Sequence, residues 1–258
     1  MVQGKHKMVE TAEGVKTLVK KNKNTIEKRN LSYYSSPNGV KELERGLQIF
    51  LNEVGMDLPY FEALASKNKK SVKDKIDGIK TFLQRWDTTR TIDSTHLEKQ
   101  LRIIFRKNLE EIEWSAKDNN KLKKIKQEIF DKLAEGIGSH KKKNGKNKKS
   151  DTFVAATKAI HILSDGKFPM LDTLVIKHFK IDEHYLKKNW EGYMKFKENC
   201  DRLMSKHEIK LKRKMVQLYK IKAKEMEKQF SKKIRGYRLL DMALWALAKD
   251  QEKKQKGD

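Results

Sequence analysis

The chain has 258 residues, 37% hydrophobic and another 37% charged, with a formal net charge of +25. That length suffices for one large domain or two small ones, and apolar residues recurring at helical spacing argue for a folded chain over a disordered one. Its single cysteine, Cys200, excludes an internal disulfide framework and a cysteine-based zinc cluster.

Glycine is scarce and there are only three prolines, which suits an α-rich architecture. The lysine excess opposes compaction by self-repulsion and draws in polyanions. A nucleic-acid backbone is the natural one, because each neutralised phosphate releases counterions. The opening residues "MVQGKHKMVE" carry no apolar core, so no signal peptide is visible, and no apolar run reaches membrane-spanning length. The expectation is a soluble intracellular protein, of cytoplasm or nucleoid, or of the nucleus in a eukaryote.

In chain order, residues 1–8 read as a frayed tail and 9–29 as one or two short helices. Ser36 and Pro37 form a helix-start signal. The helix that follows carries Val40, Leu43, Leu47, Phe50, Leu51 and Val54 on one stripe and ends at Gly55. "YFEALASK" reads as a brief helix. Val72, Ile76, Ile79, Phe82, Leu83 and Trp86 then mark an amphipathic helix. Ser94 or Thr95 is placed to cap a helix running through Trp114, and Leu122, Ile125, Ile129, Phe130 and Leu133 mark another.

Residues 139–150 hold six lysines and no acid. This run is either a disordered linker or a phosphate-binding loop. It divides a helical region at 1–138 from a second at 151–250, which either stands alone or joins the first as one domain. In the second region, "TLVI" at 173–176 is the one short strand candidate, and its flanks favour helix. Asp182 can cap a long basic stretch, with a break expected between Asn199 and Ser205. From Lys206 to Lys224 that stretch has eight lysines and arginines against one acid, Glu208, above an apolar stripe of Leu211, Met215, Leu218 and Ile221. A strongly apolar helix around Leu239, Leu240, Ala243, Leu244 and Leu247 closes the fold, and 251–258 read as a loose tail. The expected fold class is all-α, a multi-helix bundle with a long basic helix and a lysine-rich linker.

The segment "TFVAATKAIHILSDGKFPMLDTLVIKHF" concentrates the chemistry. Lys158 lies within a run of Phe, Val, Ala, Ile and Leu, so it either snorkels to solvent or is placed for a purpose. A lysine amine can form a Schiff base when neutral, and burial disfavours its charged form. Asp172, beyond the turn at Gly166 and Pro169, can accept a proton or stabilise a cation. It can equally be an ordinary acid in the first turn of a helix. His161 is either a proton-transfer partner of Lys158 or a structural histidine. The histidines form no organised metal-ligand set, and no metal is assigned.

In "ATKAIHILSDGKFPMLD" the order is Thr-Lys, a short apolar helix, a turn, then proline and aspartate. This stretch resembles the catalytic segment of the helix–hairpin–helix DNA glycosylases, particularly the oxidised-guanine enzymes and their divergent archaeal relatives. The resemblance implies an all-helical fold, Lys158 as the Schiff-base lysine and Asp172 as the catalytic aspartate. It also implies removal of a damaged base with strand cleavage at the abasic site, without metal or nucleotide cofactor. The family's Leu-Pro-Gly-Val-Gly hairpin does not precede this lysine; "SDTFVAA" does.

For phosphate contact the choices are Lys141, Lys142 and Lys143 in the linker, Lys210, Lys212, Arg213 and Lys214 on the basic helix, and Arg235 and Arg238 around Gly236 and Tyr237. Tyr33 and Tyr34 either stack on bases or anchor a loop. Trp190 with Tyr185, Tyr193 and Phe196 is the best aromatic and basic combination. The expected function is nucleic-acid binding, DNA first, with base excision through Lys158 as the enzymatic version. The alternative is a non-enzymatic DNA- or RNA-binding structural or interaction protein, which leaves room for a protein partner and leaves the oligomeric state open.

Overall fold

A computed structural model describes residues 31–55, 57–86, 93–114, 120–134, 139–141, 147–149, 152–178, 189–220 and 236–256. After a 3₁₀ turn at Leu31–Ser35, the helices are α1 (Pro37–Glu53), α2 (Leu58–Lys67), α3 (Val72–Arg85), α4 (Ser94–Arg106) and α5 (Asn120–Ala134). A hairpin of β1 (Ser139–Lys141) and β2 (Asn147–Lys149) leads to α6 (Thr152–Leu163), α7 (Thr173–His178), α8 (Trp190–Lys220) and α9 (Gly236–Lys256).

Local signals set the boundaries. Ser36 caps α1, its Oγ accepting from Gly39 N at 3.1 Å, with Pro37 in the first turn. Asp93, not Ser94 or Thr95, caps α4: its Oδ1 accepts from Thr95 N and His96 N at 2.9 and 3.0 Å. That helix stops at Arg106, short of Trp114. Asn108 takes a left-handed backbone, φ 50°, which its short polar side chain tolerates, and a 3₁₀ turn at Leu109–Glu111 follows. "TLVI" is helical, within α7.

Two boundaries in the second region differ from expectation. α8 has no break between Asn199 and Ser205, because Cys200, Leu203 and Met204 keep the buried stripe in register from Tyr193 and Phe196 to Leu211. α9 continues through Lys256. Its last turns are tied back by Lys249 and Lys253 to Glu53, and by Lys254 and Lys256 to acids one turn earlier. Ser139–Lys141 and Asn147–Lys149 pair antiparallel, Ser139 opposite Lys149, where the sequence offered a linker or a loop.

The architecture is an all-α, compact multi-helix bundle with one minimal hairpin among the described residues. One apolar cluster draws on both sides of that hairpin, from Leu43, Leu47 and Phe50 through Ile129 and Phe130 to Ile160, Tyr193 and Leu244. α9 packs along α1 with little room. A Cβ on Gly46 would collide with the Ala243 carbonyl. α6 is buried on nearly every face, and Gly166, φ 71°, turns the chain so that Phe168 and Leu171 pack back on the core.

Candidate functional site

α6 carries Lys158 inward and the turn after Gly166 returns the chain, so Asp172 meets it at the start of α7. Lys158 Nζ lies 2.9 Å from Asp172 Oδ2, with the lysine side chain 4% exposed and the aspartate 15%. The other oxygen, Oδ1, accepts from Leu174 N at 2.8 Å, so Asp172 caps α7 and pairs with lysine at once. Lys158 Nζ also stands 5.8 Å from the ring centre of Trp86, and the Arg238 guanidinium lies 4.7 Å from the same ring.

Arg238 is not a phosphate clamp. It is 1% exposed and its guanidinium donates to Asp57 and Asp241. Burial alone would lower its pKa, but the two carboxylates outweigh that and raise it. Burial pushes the Asp241 carboxyl up to about 6 against the pull of Arg238 and Lys158. Two cations and three carboxylates, Lys158, Arg238, Asp57, Asp172 and Asp241, therefore tie α6, α7, α9 and the α1–α2 connection together. Asp57 Oδ1 and Arg238 Nε, both buried, have no hydrogen-bond partner among the described residues. The sequence carried a sign of this: Arg238 and Asp241 stand three apart inside an apolar helix, the spacing of a paired cation and acid.

His161 is fully buried behind Lys158. Its Nδ1–H donates to the Phe168 carbonyl, and Nε2 accepts from Tyr60 Oη at 3.3 Å. Burial lowers its pKa from 6.5 to about 3, with the Arg238 charge adding to the shift and the Phe168 carbonyl opposing it. The ring is a neutral structural element and has no bond to Lys158.

The basic helix residues all lie on α8. Lys210 and Arg213 are exposed, while Lys212 and Lys214 are half-buried. Lys210 reaches Glu44 at 3.4 Å and Lys212 reaches Glu208 at 2.6 Å. From Arg202 to Gln217 the exposed positions include four cations, Arg202, Lys206, Lys210 and Arg213, with no acid among them. Ile209, 69% exposed, lies in their midst. Arg202 and Lys206 were not singled out from sequence; the steps of four, four and three residues from Arg202 through Lys206 and Lys210 to Arg213 were the available sign. Lys141 stands in β1, whereas Lys142, Lys143, Arg235, Asp182, Tyr185 and Ile221 lie outside the described residues.

The aromatic candidates pack inward. Tyr34 is buried, edge-on to Tyr33, whose Oη donates to Glu42 at 3.2 Å, so the pair anchors a loop. Trp190, Tyr193 and Phe196 are buried, and Tyr193 Oη donates to the Pro169 carbonyl at 2.6 Å. Among the described residues no group of His, Cys, Asp and Glu could hold a metal ion. Nor is any helix there long and apolar enough to cross a membrane. Compared with known proteins, the chain matches no family model, no curated protein and no solved structure.

Proposed function

We propose that this chain binds nucleic acid, with the exposed face of α8 as its contact surface. One observation carries the reading: Arg202, Lys206, Lys210 and Arg213 stand on one helix with no acid among the exposed positions between them, in a chain whose net charge is +25. The stripe extends about 16 Å at a rise of about 1.5 Å per residue. A surface of that kind neutralises successive phosphates and gains from the counterions released. The Lys210–Glu44 pair is a weak competitor, because an exposed ion pair contributes about 0–1 kcal/mol. Ile209 adds an apolar contact for sugar or base. The partner class is DNA or RNA, and an intracellular location follows from it. The test is fluorescence anisotropy with labelled DNA and RNA oligonucleotides. A variant with the four stripe cations changed to Gln should lose most binding; unaltered affinity would end this reading.

A second reading, DNA glycosylase/AP lyase, rests on the Lys158–Asp172 pair at 2.9 Å. In that chemistry the lysine amine attacks the sugar C1′ as the base leaves, and the aspartate stabilises the developing cation. The amine is nucleophilic only in its neutral form, so this chemistry requires Lys158 to be free of its extra proton at the moment of attack. Borohydride trapping on DNA containing oxidised guanine, uracil or an abasic site tests this directly. An adduct from the native chain that is lost in Lys158→Ala supports the lyase; no adduct while DNA binding persists removes it.

A further inference from the structure

Ile209 is the most exposed large apolar side chain among the described residues, 69% against 48% for Leu58. It stands within the cationic run of α8. The steps from Arg202 through Lys206 and Ile209 to Arg213 are four, three and four residues, which sets these side chains along one face. Ser205, one turn before Ile209, is exposed as well. The fold gains little from this isoleucine. It buries little surface, and at an exposed helical position a β-branched residue is a poorer helix former than the lysines beside it.

The face has limits. Glu198, exposed four residues before Arg202, puts a negative charge at one end of the run. From Arg202 to Gln217, about four turns, the exposed positions carry no acid. A polyanion therefore meets α8 along that length.

Three comparisons select the polyanion. An unstacked strand is held by stacking its bases on aromatic rings, and the α8 rings Trp190, Tyr193 and Phe196 are all buried. An A-form RNA helix has a major groove too deep and narrow for side chains to read. The major groove of B-form DNA is about 12 Å wide and admits an α-helix, whose diameter with side chains is about 10–12 Å. Phosphates flank that groove, and its floor offers one apolar group, the C5-methyl of thymine. A helix face that joins cations to one protruding isoleucine matches both.

We propose that the exposed face of α8 docks in the major groove of duplex DNA, with Arg202, Lys206, Lys210 and Arg213 toward the flanking phosphates and Ile209 against a thymine methyl. The Ser205 hydroxyl, able to donate or accept, serves base edges one turn earlier. The proposal rests on the nucleic-acid reading and names its partner.

The experiment measures fluorescence anisotropy with four labelled probes. They are a duplex of oligo(dA) with oligo(dT), the same duplex with uracil in place of every thymine, single-stranded oligo(dT), and the RNA duplex of oligo(A) with oligo(U). Thymine at every step offers a methyl in every register, and uracil deletes that methyl alone. The native chain should bind the thymine duplex about fourfold more tightly than the uracil duplex, the effect of burying one methyl group. It should bind both the single strand and the RNA duplex more weakly than the thymine duplex. Ile209→Ala, which places the best helix former at an exposed site, should bind the two DNA duplexes equally. Equal binding of these duplexes by the native chain, or a preference that Ile209→Ala keeps, overturns the groove contact while the cationic face stands. Tighter binding of the single strand or of the RNA duplex overturns the proposal and assigns that partner instead. No binding to any probe overturns the nucleic-acid reading itself.

Discussion

His161 makes stability depend on pH in a way that one substitution can isolate. Its folded pKa is about 3 against 6.5 for the exposed ring, because burial disfavours the cation. Below pH 6.5 the unfolded chain takes a proton that the folded chain refuses. The stability tied to the neutral ring is therefore fully present above pH 6.5 and is lost as pH falls toward 3. Between pH 8 and pH 5 this loss is about 2 kcal/mol. Asp241 acts the other way. Its folded pKa is raised from 3.8 to about 6, chiefly by burial, so its contribution is present below pH 3.8 and lost as pH rises through 6. Acidification from pH 8 to 5 thus returns about 1 kcal/mol through Asp241 and masks part of the histidine effect. His161→Asn removes the titrating ring and keeps a short donor toward the Phe168 carbonyl. The cavity it leaves costs about 2–4 kcal/mol at pH 8. Urea unfolding followed by circular dichroism at pH 8, 7, 6 and 5 gives the readout. The stability gap between native chain and variant should narrow by about 2 kcal/mol from pH 8 to 5. A gap that stays constant would refute the buried neutral histidine.

Two other substitutions probe the packing that positions these groups. Arg238→Met leaves Asp57 and Asp241 buried without their cation and should destabilise by about 3–5 kcal/mol in urea unfolding at neutral pH. Adding Asp57→Asn and Asp241→Asn to it should recover part of that loss, and a loss below about 1 kcal/mol from Arg238→Met alone would contradict the burial of the cluster. Gly46→Ala forces α1 away from Ala243 of α9 and should cost about 1–3 kcal/mol, read as a lower urea midpoint. An unchanged midpoint would show that the two helices do not approach so closely.

The helices were largely legible because their apolar residues recur every three or four positions. Val40 to Leu51 and Ile76 to Leu83 are buried as that periodicity requires. Endings were less legible, since they turn on single backbone choices: Asn108 in the left-handed region ends α4, and Asp93 caps it one residue before the expected Ser94. The pairing of Lys158 with Asp172 follows from a turn between two buried segments, and sequence could place both residues near it. The fate of Arg238 was hidden because Asp57, its second carboxylate, stands 181 residues away. Lys126 was lost among exposed lysines, although it falls on the face of Leu122, Ile129 and Leu133. The four-cation stripe emerged only when exposure separated Arg202, Lys206, Lys210 and Arg213 from the half-buried Lys212 and Lys214. A count of charges cannot make that separation.

The most direct test of the α8 face is the salt dependence of oligonucleotide binding in three proteins. They are the native chain, the chain with Arg202, Lys206, Lys210 and Arg213 changed to Gln, and a control with the exposed Lys41, Lys69, Lys70 and Lys99 changed to Gln. The two variants carry the same net charge, so only the location of the removed cations differs. The slope of log K against log salt should become shallower by about one for each phosphate no longer neutralised, about four in the stripe variant, and stay near native in the control. Equal slopes in the two variants would contradict the assignment of this face.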